Sequence, residues 1–244
     1  LASVKDQGSN VTYSNPFQGF QKEYVNTVYS IGTSVTKEMV SDDQYDYINK
    51  LPKLLNRSMW QTKETIAWNH INRSTNTAFT GADGVVLASA SHPLVGGGTF
   101  SNIAATSADL SQTSLETLTQ MLLDAVDDMS LTMRLMPEAL VVPPDVNFTA
   151  RKLLESQNVV GSADNDANGL IGLYKDLIVC PYVTDVDAFG IVTDVDNGFT
   201  WYQNWEDSLD RDNEFDTKNL KFTLISRFAS GWTDPRAWFY NPGA

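Results

Sequence analysis

Cysteine is almost absent: Cys180 is the single one in 244 residues. That excludes an internal disulfide framework and a cysteine-rich zinc site. Histidine is scarce as well, with only His70 and His92. No apolar run approaches the roughly 18–20 residues that would span a bilayer, so no membrane segment is expected. No basic stretch leads into an apolar one near Leu1, so no signal peptide is read there. Positive charge is short: 17 Lys and Arg stand against 30 Asp and Glu, a net charge of −13. A nucleic-acid binder held by a basic face is thereby disfavoured, because neutralising phosphates needs clustered cations. There is no internal repeat. What is present, 42% hydrophobic and 11% aromatic residues, is enough for a buried core and too much for a disordered chain.

The charge is unevenly placed. Residues 1–80 carry eight basic and seven acidic residues, whereas 176–216 carry eleven acidic residues and only Arg211. From 218 to 244 the balance reverses, with four basic residues and one acidic. Segments of opposite sign suit a protein whose surfaces meet copies of itself, since complementary potentials fix register; a solvated acidic face is the plainer reading.

The chain reads as α+β. Tyr24–Ile31 and Thr33–Thr36, rich in Val, Tyr and Thr, predict two strands of a hairpin turning at Gly32. Neither face is strongly apolar, so the hairpin is expected to lie off the domain's own core. Asp42 or Asp43 caps a short helix through Tyr45 and Ile48. Proline is tolerated at a helix start and costly inside one, so the main helix begins at Pro52 and runs to about Arg73. At ~1.5 Å per residue it is about 30 Å long, a spine rather than a cap. Residues 80–107, with Gly81, Gly84 and Gly96–Gly98, read as loop with short strands. Thr113-Ser114-Leu115-Glu116 fits a capping box, followed by Leu115, Leu118, Leu122, Val126 and Met129 on an amphipathic helix of about four turns. Ala139–Val142 is a short buried strand, and Pro143-Pro144-Asp145 stops it and opens a helix with Ala150 and Leu153. Leu177–Cys180 reads as a central strand, Ala188–Val192 as another, Asn197-Gly198 as a turn, and 218–232 as one long strand.

No arrangement of residues commits to catalysis. His92 sits in Ser91-His92-Pro93 and His70 beside Ile71; no nucleophile elbow accompanies either, so both read as structural. Gly96–Gly98 lacks the Lys and Ser/Thr of a phosphate loop. Asp164-Asn165-Asp166-Ala167-Asn168-Gly169 matches half of a calcium loop, but Lys175 stands where a bidentate Glu belongs, so an Asx-rich turn is the reading. No cofactor and no metal is expected. Asp185, Asp187, Asp194 and Asp196 are carboxylates near strand ends, and they support the alternative function, an acidic hydrolase. Trp232, Trp238, Phe239 and Tyr240 read as core or interface anchors, and Arg227 and Arg236 as partners for the acidic stretch 205–216.

Gly81-Ala82-Asp83-Gly84, Ser91-His92-Pro93 and Gly97-Gly98-Thr99 resemble the loop after the long helix in tailed-bacteriophage major capsid (major head) proteins of the Mu type. Val142-Pro143-Pro144 with Phe148-Thr149-Ala150, and Gly161–Asp166, resemble their central strand, helix and polar turn. Arg227-Phe228, Gly231–Arg236 and Pro242-Gly243-Ala244 resemble their ending. The order and spacing of these motifs from Phe17 onward carry the likeness.

The resemblance implies the Hong Kong phage-type capsid fold: an extended hairpin loop, a long spine helix, peripheral strands and a central axial domain. The corresponding division is an arm at 1–16, the hairpin loop at 17–41, the spine helix and following loop at 42–107, the axial domain at 108–200, and a return to the periphery at 201–244. The implied function is self-assembly, as hexamers and pentamers, into an icosahedral virion shell around double-stranded DNA held without specific binding. Assembly would occur in the bacterial host cytoplasm, without a membrane, and leaves room for a scaffolding protein, a maturation protease, portal and decoration proteins. Tyr24, Tyr29, Arg73, Arg227, Arg236 and Trp238 are the candidate residues of the assembly interface.

Overall fold

The computed structural model describes residues 7, 10, 13, 18–44, 46–159 and 166–244. The expected arm at 1–16 lies almost wholly outside these, as do Tyr45 and the first part of the polar turn at 161–169. In chain order the elements are β1 (Thr27–Val35), α1 (Lys37–Ser41), a 3-10 turn (Ile48–Lys50) leading into α2 (Leu51–Asn72), β2 (His92–Pro93), β3 (Thr99–Phe100), α3 (Gln112–Leu123), β4 (Pro137–Val142), α4 (Asn147–Glu155), β5 (Asp176–Val179), β6 (Phe189–Thr193), β7 (Phe199–Asn213), β8 (Leu220–Trp232) and β9 (Trp238–Asn241).

The central part is a four-stranded sheet in the order β5-β4-β6-β9, parallel only between β4 and β5. Side chains alternate across a strand, so each strand feeds two cores. Leu140, Val142, Ile191 and Phe239 face Leu115, Leu118 and Leu122 of α3 and Ala150 and Leu153 of α4. Val141, Trp238 and Tyr240 face the other way, onto Ile71 at the end of α2 and Trp232 at the end of β8. The peripheral part is a three-stranded antiparallel sheet, β1-β8-β7, with α2 across one face. Leu51, Leu55 and Met59 of α2 pack there on Val35, Leu220, Phe222 and Leu224.

Several expectations hold. The long helix carries Pro52 in its first turn and buries Leu51, Leu55, Met59 and Ile71. The β4–α4 passage and the long β8 follow the sequence closely.

Others need correction. The short helix expected from Asp42 or Asp43 through Ile48 is not there: α1 lies earlier, at Lys37–Ser41, and only Ile48–Lys50 make a 3-10 turn, with Asp43 accepting from the backbone N–H of Tyr47 and Ile48. The hairpin about Gly32 does not form: Thr27–Val35 is one unbroken strand, and Gly32 pairs in register with Thr223 of β8. A Cβ on Gly32 would lie 3.1 Å from the Phe222 carbonyl oxygen and 3.3 Å from Thr223 Cγ2. The glycine serves close strand approach rather than a turn. Nor is the segment off the core, for Val35 is buried and Tyr29 and Ile31 pack on the same cluster. The helix after residue 110 is capped by Ser111, whose hydroxyl accepts from Ser114 N while Ser114 Oγ accepts from Ser111 N, and it ends at Leu123 after about three turns. Strand 176–179 is an edge, not central. The end of the chain does not stay peripheral, since β9 joins the central sheet beside β6.

Candidate assembly surface

β8 is the middle strand of the peripheral sheet, flanked on both edges, and it is mostly buried. Its neighbour β7 is an outer edge. Of its 15 residues all but Thr200 are exposed, including Trp201, Tyr202, Trp205 and Leu209. β7 is held by backbone pairing and by a row of rings across the sheet. Tyr29 of β1 and Trp201 of β7 each stack on Phe228 of β8 with centroids 4.5 Å apart. Both are diagonal neighbours of Phe228 by register, the spacing at which large rings meet. Lys63 of α2 reaches over to Asp207 at 2.5 Å. Burial pushes the Asp207 carboxyl up, but the Lys63 ammonium and hydrogen bonds from Lys63 and Ser226 outweigh it and hold it below its usual value.

The six candidate interface residues separate. Tyr24 is half-buried; its hydroxyl is 2.7 Å from Thr233 Oγ1 and its ring lies against Tyr202. Tyr29 belongs to the ring row just described. Arg73 is exposed at the end of α2 with its guanidinium 4.5 Å from the Phe79 ring. Arg227 is half-buried, 5.3 Å from the Trp205 ring, and its Nε is buried without a partner among the described residues. Arg236 and Trp238, by contrast, are internal, 4% and 1% exposed. Arg236 donates to Asp128 (2.7 Å), to both carboxylate oxygens of Asp234 (3.2 Å each) and to the Val126 carbonyl (2.7 Å). Its donors are spent inside the subunit, so it is neither a surface residue nor a partner of 205–216. Trp238 fills the space over Gly190, where a Cβ would come within 2.3 Å of the indole.

The two histidines are structural props. His92 is fully buried, with Nδ1 2.6 Å from Asp83 Oδ2 and Nε2 3.1 Å from Asn102 Oδ1. Asn102, which nothing in the sequence marks out, ties its own segment to two others, 87–89 and 235–238: its amide donates to the carbonyls of Leu87, Pro235 and Trp238, and its oxygen accepts from Ser89 N. His70 Nε2 lies 3.0 Å from Ser230 Oγ, linking α2 to β8; burial, then Arg73 and Lys22, lower its pKa.

The carboxylates of the hydrolase alternative are not brought together. Asp185 and Asp187 precede β6, while Asp194 and Asp196 follow it, so the pairs sit at opposite ends of a strand about 16 Å long. Burial and the adjacent Asp187 raise Asp185, and burial with both carboxylates pushes Tyr240 up to about 12. Asp194 accepts from Met136 N at 2.8 Å and serves the strand end. In the polar turn, Asn168 donates to the Leu153 and Ser156 carbonyls and accepts from Leu170 N, which makes it a turn lock. Among the described residues no group of three or more His, Cys, Asp or Glu side chains is placed to hold a metal ion.

Against this geometry stand the comparisons with known proteins. The family model described as phage capsid protein matches residues 21–241. No curated protein sequence matches. Among solved structures, the capsid of bacteriophage JBD30 aligns with a TM-score of 0.60 at 13% identity, over 75% of this chain and 83% of that one. The capsid of Ralstonia phage GP4 gives 0.57 at 15% identity, over 88% and 71%. A chain of Mycobacterium phage Patience gives 0.57 at 11% identity, over 98% and 76%. At such identities the likeness is one of fold.

Proposed function

This chain belongs to the phage capsid protein family, and from that premise we infer how its copies build the shell of the virion. The role is structural: subunits of the Hong Kong phage-type fold associate with one another through interfaces. We take the shell to be the icosahedral head of a tailed phage, built of hexamers and pentamers around double-stranded DNA and assembled in the bacterial cytoplasm. The motif order from Gly81 to Arg236 supports a Mu-type relative. Scaffolding, protease, portal and decoration partners go with that assignment, and no catalytic step is assigned to the subunit.

One observation carries the reading. β7 is a 15-residue edge strand left uncovered, with Trp201, Tyr202 and Trp205 in the open. A long bare edge with exposed rings is an aggregation liability in a solitary protein and an asset in an ordered assembly. The net charge of −13 supports a lining that does not grip phosphates, so that DNA is packed and released. Of the interface candidates, Tyr24, Tyr29, Arg73 and Arg227 remain, since they sit on or beside the peripheral sheet and α2. The test is negative-stain microscopy of the expressed full chain. Rings, sheets or shells are expected; a monodisperse small oligomer that loses a hydrolytic activity on Asp185→Asn would instead return the enzyme reading.

A further inference from the structure

We propose that neighbouring copies join head to tail, the acidic β7–β8 hairpin of one subunit docking on a basic, aromatic stripe along α2 of the next. The inference rests on the shell reading and names the surface that reading requires.

The stripe is built by helical spacing. Lys53, Arg57 and Trp60 recur every three or four residues on the face opposite the buried Leu51, Leu55 and Met59, and Leu54 borders that face one turn before Arg57. Leu54 is 48% and Trp60 58% exposed. Neither Lys53 nor Arg57 forms a salt bridge among the described residues. A cationic face with two bare apolar side chains thus finds no ionic partner among the described residues.

The complement lies on the hairpin. Between 205 and 219 there are six acidic and two basic residues; Asp210 and Asp212 share the face of β7 turned away from α2, and Phe215 in the turn is 83% exposed. Glu214 is held by Lys221 and Asp207 by Lys63. Asp210, Asp212 and Asp216 form no salt bridge among the described residues. Each surface therefore offers the same two things, charge of one sign and large apolar side chains, and the signs are opposite. That is the pattern by which interfaces choose partner and register.

Among the described residues the two surfaces do not meet within one chain. The stripe looks away from the sheet that carries the hairpin, with the body of the helix, about 10 Å across, in between. Where α2 meets β7 within the subunit it does so with other residues, Lys63 bonding Asp207. Two different complementary patches on one chain, each turned to a different neighbour, give a heterologous contact, which builds a ring where its rotation closes.

The experiment uses full-length chain in three forms: Asp210→Lys with Asp212→Lys; Lys53→Glu with Arg57→Glu; and all four substitutions together. Sedimentation and negative stain read the shell yield, and circular dichroism reads folding. Each pair alone should lower the yield about tenfold or more with an unchanged spectrum, and the four together should restore it to within about twofold, because every head-to-tail contact is again complementary. Pairs that assemble like the unsubstituted chain, or a fourfold variant that stays defective, overturn the proposal. As a second measurement, Arg57→Cys with Asp212→Cys should give inter-chain disulfide ladders in oxidised shells; shells without them also overturn it. If the unsubstituted chain itself builds no rings or shells, the shell reading fails and this inference with it. If it builds them and the substitutions do not matter, only the docking surface is wrong.

Discussion

Phe228 is the residue on which the outer strands of the peripheral sheet depend, and its truncation should be costly. The ring is 1% exposed and has Tyr29 from β1 and Trp201 from β7 stacked against it. Phe→Ala at a buried site costs about 3–5 kcal/mol in lost transfer energy and cavity. Trp201 is 39% exposed and free to settle inward, which argues for the lower end, about 3 kcal/mol. For a chain of this size that is a drop of roughly 6–12 °C in Tm. Phe228→Leu keeps most of the volume and should cost about 1–2 kcal/mol, mainly the stacking, worth some 0.5–1.5 kcal/mol per ring pair. The measurement is thermal and urea unfolding of dissociated subunits followed by tryptophan fluorescence. A double-mutant cycle of Tyr29→Leu with Phe228→Leu should show coupling, because the two rings touch. A Tm loss under about 2 °C for Phe228→Ala, or strict additivity in the cycle, would refute the idea that β1 is anchored within its own subunit.

Two further expectations follow from buried polar groups. His70 has its pKa lowered from 6.5 by burial and by Arg73 and Lys22, so folding favours the neutral ring; its contribution is full above pH ~6.5 and is lost as pH falls through the folded-state value. Stability of the unsubstituted subunit should therefore drop relative to His70→Gln as pH falls below ~6.5, and parallel pH curves for the two would count against it. Asn102→Ala leaves the Leu87, Pro235 and Trp238 carbonyls without their donor; at about 1–3 kcal/mol for each group left unsatisfied, a loss of about 3 kcal/mol or more is expected in urea titration, and a loss below 1 kcal/mol would mean that water replaces the amide.

The parts of the fold that the sequence made legible are those where local chemistry and burial agree. Ala139–Val142 is an unbroken apolar run stopped by two prolines, and it is a central strand. The start of α2 was marked by Pro52 and its inward stripe by Leu55 and Met59. β7 was invisible because Glu206, Asp207, Asp210, Arg211, Asp212 and Asn213 present no apolar face; the strand exists by pairing with β8, a long-range cause with no local trace. Gly32 misled for a related reason: glycine marks turns and close strand approaches alike, and only the partner strand distinguishes them. Arg236 and Trp238 stand out in the sequence by residue type alone, which does not tell an interface anchor from a core one. Lys53 and Arg57 lay in plain view, but a cationic stripe acquires meaning only when the acidic hairpin is placed on the same molecule.

The position of β9 bears on how the subunit is made. Phe239 closes one core of the central sheet and Trp238 the other, yet both are synthesised after all eight preceding strands. A nascent polypeptide that has passed β6 still has an open seam on both sides of its middle layer until residue 241 leaves the ribosome. Prematurely terminated chains should therefore remain unfolded prey for proteases instead of entering the particle as defective bricks.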